Sequence, residues 1–172
     1  MRVNNSCLCL LACLFTVTTV RADVVDDADR LLRLSNAGTR FEATAMRQTR
    51  DILRTYSSIV SRSGEPALPD YIQDNIAACY AEVYAWEKFE SGIARILADN
   101  LTHKQILLLI DFYQGLGLPP AEIQTFKDTI AKAPVIQRLS TDYIFTHTAS
   151  CVDRDAVLII NFLGSQTAPS QR

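Results

Sequence analysis

Between Val25 and Ile130 the apolar residues return every three or four positions, and each such stretch ends in a cluster of glycine, proline or small polar residues. Nothing else in the chain constrains its fold so strongly, because a period of 3.6 lays the apolar side chains along one stripe of a helix, whereas a half-buried strand needs alternation. The first stripe is Val25, Ala28, Leu31 and Leu32, which runs out at Ser35-Asn36-Ala37-Gly38. Phe41, Ala45, Ile52, Tyr56 and Ile59 form the second, with Arg47, Arg50, Asp51 and Arg54 elsewhere on the wheel and Ser63-Gly64-Glu65-Pro66 as its end. A third opens near Pro69 and Asp70 with Ile72, Ile76, Cys79, Tyr80 and Val83, which puts Cys79 on the buried side. It resumes as Trp86, Phe89, Ile93, Ile96 and Leu97, and both one long helix and two bent ones fit this stretch.

Thr102 followed by Gln105 three residues later is a capping box, in which each side chain satisfies a backbone N–H of the other's turn. It opens the most apolar segment of the mature chain, Ile106 to Tyr113, which predicts a central, buried helix closed by Gly115-Leu116-Gly117. Pro120 suits the first turn of the next helix, striped by Ile123, Phe126 and Ile130, and Pro134 marks a further break. Tyr143-Ile144-Phe145 and Val157-Leu158-Ile159-Ile160 carry residues that strands also favour. They are read as helices, the last with Asp153 and Asp155 in its first turn and Gly164 at its end. The expected fold is all-α, one compact bundle of about six or seven helices.

The chain begins with Arg2 and an apolar run from Cys7 to Val20, too short for the roughly 20 residues of a membrane-spanning helix. Val20-Arg21-Ala22 followed by the acidic Asp23 to Asp29 reads as a signal peptide over residues 1–22, cut after Ala22. A lipoprotein box at Leu10-Leu11-Ala12-Cys13 is the weaker alternative, since Leu14 to Val20 after it stays apolar. Cleavage leaves 150 of the 172 residues, expected as a single helical domain over 23–164 with a disordered tail over 165–172 and no transmembrane segment. Periplasmic or secreted localisation follows. Loss of Arg2 and Arg21 moves the net charge from −2 to −4, which argues against nucleic acid and anionic lipid headgroups as partners. Cys7, Cys9 and Cys13 leave with the signal, so Cys79 and Cys151 remain, and two thiols in an exported protein are expected to pair.

Leu101-Thr102-x-x-Gln105, Ile106 and Leu109-Ile110-x-Phe112-Tyr113 together resemble a bacterial family known as domain of unknown function 2059. A coarser likeness extends over roughly Asp26 to Arg138. The resemblance implies an exported, all-helical protein and carries no activity, cofactor or catalytic residue with it. Where that family continues Phe-Tyr-x-Ser/Thr-Pro-x-Gly, this chain reads Phe112-Tyr113-Gln114-Gly115-Leu116-Gly117-Leu118, without the proline.

Signals for chemistry are sparse. The mature chain has only His103 and His147, far apart, and no HExxH or CxxC spacing, so neither a metal site nor a cofactor is expected. Glu90-Ser91-Gly92 after Phe89 resembles the Glu-Ser-Gly of lytic transglycosylases, in which a glutamate is the general acid. The plainer account is a helix whose polar face shows Glu87, Lys88 and Glu90. No Gly-x-Ser-x-Gly elbow or phosphate-cradling glycine loop is present. Tyr80, Tyr84, Trp86 and Tyr113 read first as an aromatic core with hydroxyls reaching the surface; Tyr84, Trp86 and Tyr113 are the candidates for an interaction surface. The expectation is a protein without catalysis that binds an envelope protein or envelope component. Carrying a lipid or small apolar ligand is the first alternative, and cell-wall hydrolysis through Glu90 the second.

Overall fold

The computed structural model describes residues 22–62, 64 and 67–167. The expected signal segment lies outside these apart from Ala22, as do Ser63, Glu65 and Pro66 of the expected break and residues 168–172 of the expected tail. Helix α1 covers residues 22–34 and is followed by α2 (Ala37–Arg62), α3 (Asp70–Val83), α4 (Glu90–Asn100), α5 (His103–Tyr113), α6 (Ile123–Ile130), α7 (Ala133–His147) and α8 (Val152–Thr167). The fold is all-α, with no strand among the described residues. Both segments with strand-like composition are helical, in α7 and α8. The last helix also runs on past Gly164 through Ser165 to Thr167, where the sequence predicts its end and the start of a disordered tail.

Several breaks fall where expected but for other reasons. The turn between α1 and α2 is made by Asn36, whose φ of 52° is the left-handed conformation that ends helices. Gly38, expected as part of that stop, sits instead in the first turn of α2, where a Cβ would lie 2.7 Å from the Trp86 ring. The stretch 69–99 is two helices, α3 and α4, separated by a 3₁₀ turn at Trp86–Lys88 and the fully buried Phe89. Pro134 falls in the first turn of α7, where proline costs no hydrogen bond.

The helices fall into two units. One contains residues 22–37 and Phe89–Phe145; it is called the capped unit below. Its buried side chains include Leu31, Leu32, Phe89, Ile93, Ile106, Leu108 and Ile110, and within it α4 packs on α5 and α5 on α6. Helix α5 is not the all-round buried helix predicted: Leu107 is 39% exposed, Phe112 49% and Tyr113 46%. A run of apolar residues records which side chains avoid water on average, not how many faces of the helix have neighbours.

The other, bridged unit contains Gly38–Lys88 and the chain from Thr146 onward. Val60, Leu68, Ile72, Ile76, Cys79, Tyr80, Cys151 and Phe162 form its core, so that Val60 faces inward and Ile59, expected there, is half exposed. Cys79 of α3 and Cys151 just before α8 are joined as expected, with Sγ atoms 2.08 Å apart and Cα atoms 6.1 Å apart. The bridge spans 72 residues of sequence and docks the start of α8 on α3.

Candidate functional site

In the bridged unit, α2 and α3 lie side by side over an open apolar groove of about 540 Å³. The stripe that α2 turns toward it is Ala45, Met46, Thr49 and Leu53, positions three and four apart that share one helical face. On α3 the facing residues are Ala77, Ala78 and Ala81, with Tyr80, Tyr84 and Ala85 completing the lining. Alanine leaves helix packing short of side-chain volume, and the space between the helices stays open. Met46, 61% exposed, is the most adaptable apolar side chain on the rim.

The polar atoms of the lining are largely committed to the protein itself. Thr49 donates its hydroxyl to the Ala45 carbonyl at 2.9 Å, and Glu42 Oε1 accepts the Trp86 backbone N–H at 3.2 Å. That bond fixes the corner after α3 against the start of α2, together with the close seat of Trp86 on Gly38. Phe41 stands between Tyr84 and Trp86, with ring centroids at 6.4 and 5.6 Å, and Tyr84 stacks on Tyr80. Arg50 is the exception: it is exposed and makes no ion pair among the described residues, its neighbour Asp51 being paired with Arg54.

Tyr80 reaches behind the groove to a buried carboxyl. Asp155 of α8 is 0% exposed; Tyr56 donates its hydroxyl to Oδ2 at 3.2 Å and Tyr80 hydrogen-bonds the same side chain. Oδ1 has no hydrogen-bond partner among the described residues. Burial raises the Asp155 carboxyl above the ordinary range, partly offset by the two tyrosine hydroxyls and by Arg154. The same burial, with the Asp155 charge beside it, drives the Tyr80 hydroxyl well up, and Tyr56 rises for the same first reason. Asp155 thus stands in the first turn of α8, as expected, and is a core residue there.

Of the residues singled out in the sequence, Tyr84 and Trp86 meet in one aromatic cluster, half-buried, while Tyr113 belongs to the other unit and packs edge-on to Phe112. His103 hydrogen-bonds Asp27 at 2.7 Å, and the Thr146 hydroxyl lies 3.0 Å from His147 Nδ1. Among the described residues no three His, Cys, Asp or Glu side chains gather as metal ligands. Glu90 opens α4 half-buried, and the Tyr143 ring occupies the space that a Cβ at Gly92 would take. Close packing thus accounts for the glycine of Glu-Ser-Gly. The groove, Arg50 and the Tyr56–Tyr80–Asp155 cluster escape sequence reading; the one trace of them is the run of alanines on α3 beside its apolar stripe.

Compared with protein-family models, curated proteins and solved structures, the chain matches none.

Proposed function

We propose that this is a non-catalytic binding protein of the bacterial cell envelope, exported by residues 1–22, and that the α2–α3 groove takes up an apolar envelope component. The groove itself carries this reading. Its volume falls in the range of about 300 to 1,000 Å³ common to small-molecule sites, and a largely apolar lining with few polar groups is what such sites present. A disulfide between Cys79 and Cys151 accords with an oxidising compartment. A carrier of apolar ligands, the first alternative offered by the sequence, and an assembly module both use an exposed apolar groove, and a bound small-molecule mass separates them.

The test is native mass spectrometry of protein purified from the periplasm, run beside a denatured aliquot. The native spectrum is expected to carry a mass that denaturation removes. Met46→Glu, a change at an exposed position that places a charge in the apolar lining, is expected to abolish it. A bare mass for the unaltered protein, or a bound mass indifferent to Met46→Glu, would overturn the proposal. The denatured mass also reports the start of the mature chain, expected at Asp23.

A further inference from the structure

We infer that the ligand of the α2–α3 groove is a single-chain amphiphile with a carboxylate head, which Arg50 receives; this rests on the groove's being a binding site. The first ground is charge. Helix α2 carries Arg40, Arg47, Arg50, Arg54 and Arg62 against Glu42 and Asp51, a net positive helix in a chain of net charge −2. On the groove that charge is concentrated in Arg50, the lining's cation, which has no protein counter-ion among the described residues. Glu42 stands eight residues away on the same face, about 12 Å at 1.5 Å per residue. The groove is thus polarised along its length, favouring an anionic head at the Arg50 end and disfavouring it at the Glu42 end.

The second ground is the chemistry of the wall between those ends. Thr49 and Tyr80 spend their hydroxyls inside the protein, so an extended peptide laid here would bury backbone N–H and C=O groups without partners, at a cost of roughly 1 to 3 kcal/mol each. A hydrocarbon tail has no such groups. An extended chain advances roughly 1.2 Å per bond, so a tail of about ten carbons runs from Arg50 to the Glu42 end. One guanidinium balances one charge, and its forked N–H donors match the two oxygens of a carboxylate; a dianionic phosphate would ask for a second cation. The acidic balance of the whole chain, which argues against a charged bilayer surface, does not oppose a single carboxylate held at one arginine.

Titration calorimetry on the purified mature protein, with decanoate, decanol and decyltrimethylammonium as probes, tests this. Decanoate is expected to bind best and decyltrimethylammonium least. Arg50→Gln is expected to weaken decanoate about tenfold while leaving decanol unchanged, the size expected for one charge-assisted pairing. Arg50→Glu is expected to reverse the order of the two charged probes. Arg50 is exposed, so neither variant disturbs packing, and Met46→Glu, which sets a carboxylate one turn from Arg50, serves as the control that closes the groove to decanoate and decanol. If the three probes bind alike, or Arg50→Gln leaves decanoate unchanged, while Met46→Glu still abolishes binding of decanoate and decanol, the carboxylate assignment is overturned and the groove stands. If none binds to a protein that nevertheless carries a groove-dependent mass from the periplasm, the ligand class is likewise wrong. Binding indifferent to Met46→Glu overturns both.

Discussion

The bridged unit holds its last helix through a covalent link and one buried carboxyl, whereas the capped unit is knit by a capping box, by Lys104 and Lys132, and by the His103–Asp27 bond. In the capped unit, Gln105 Oε1 accepts from the Thr102 backbone N–H at 3.0 Å and from Lys132 Nζ at 2.9 Å, and Lys132 also donates to the Asn100 carbonyl at 2.9 Å. These bonds join α4, α5 and the start of α7, segments that lie close in sequence. The bridged unit brings α8 onto α2 and α3 from far along the chain, with Tyr56 and Asp155 separated by 99 residues. Closing so long a loop costs conformational entropy, and a disulfide removes much of that cost from the folding reaction. Phe162 of α8 and Cys151 just before it belong to the same core as Tyr80, which also lines the groove, and Asp155 of α8 bonds Tyr56 of α2.

The sharpest way to break this contrast is to remove the bridge. Cys79→Ser combined with Cys151→Ser is expected to cost the bridged unit about 4 kcal/mol, by the chain-entropy account of a loop of this length. Urea unfolding gives the total, and hydrogen exchange locates it: amides of α3 and α8 should lose protection first. An equal loss in α5 and α6 would show that the units unfold as one and would dissolve the contrast. Next in size is Ile106→Ala, which deletes a fully buried side chain of the capped unit and is expected to cost about 3 kcal/mol. Leu107→Ala, at a half-exposed neighbour, should cost less than about 1 kcal/mol. Equal losses would restore the all-round buried helix that the sequence predicts. Thr102→Ala comes third, at about 1 kcal/mol for the lost capping box, read as a shift in the urea midpoint at unchanged slope.

What the sequence makes legible divides along the same line. The capping box is written in two residues three apart, and helices follow from spacing alone, so the capped unit is recognisable from local pattern. The disulfide is legible for a different reason, since only two cysteines remain once the expected signal segment is set aside. The burial of Asp155 is not legible because a helix N-terminus and a buried hydrogen-bond site can both hold an acid, and only the distant Tyr56 and Tyr80 decide between them. Gly38, read as part of a helix stop, is misread for a similar reason: it makes room for the Trp86 ring from another segment, as Gly92 does for Tyr143, and spacing along the chain does not record such neighbours. The groove is invisible at this level because a cavity is a property of how two faces pair.

The smallest expected effect at any one pH is also the one that separates the units by sign. Asp155 in the bridged unit has its carboxyl raised by burial above its value in the unfolded chain, so the folded protein holds that proton more tightly. Its contribution to stability is complete below the unfolded carboxylate range and is lost as pH rises through the higher folded value. Glu122 in the capped unit runs the other way. Hydrogen-bonded to Lys104 at 2.9 Å, it is lowered, so its contribution is present above the unfolded range and lost as pH falls through the folded value. Acidification should therefore strengthen α3 and α8 relative to α5 and α6, measured by hydrogen exchange across the carboxylate range with intrinsic rates corrected for pH. Asp155→Asn should remove the gain in α3 and α8 while the tyrosine hydroxyls still find an oxygen to bond, and Glu122→Gln should remove the loss near α5 and α6. If Asp155→Asn leaves the pH dependence of α3 and α8 unchanged, the buried carboxyl is not what couples that unit to pH, and the contrast reduces to the disulfide alone.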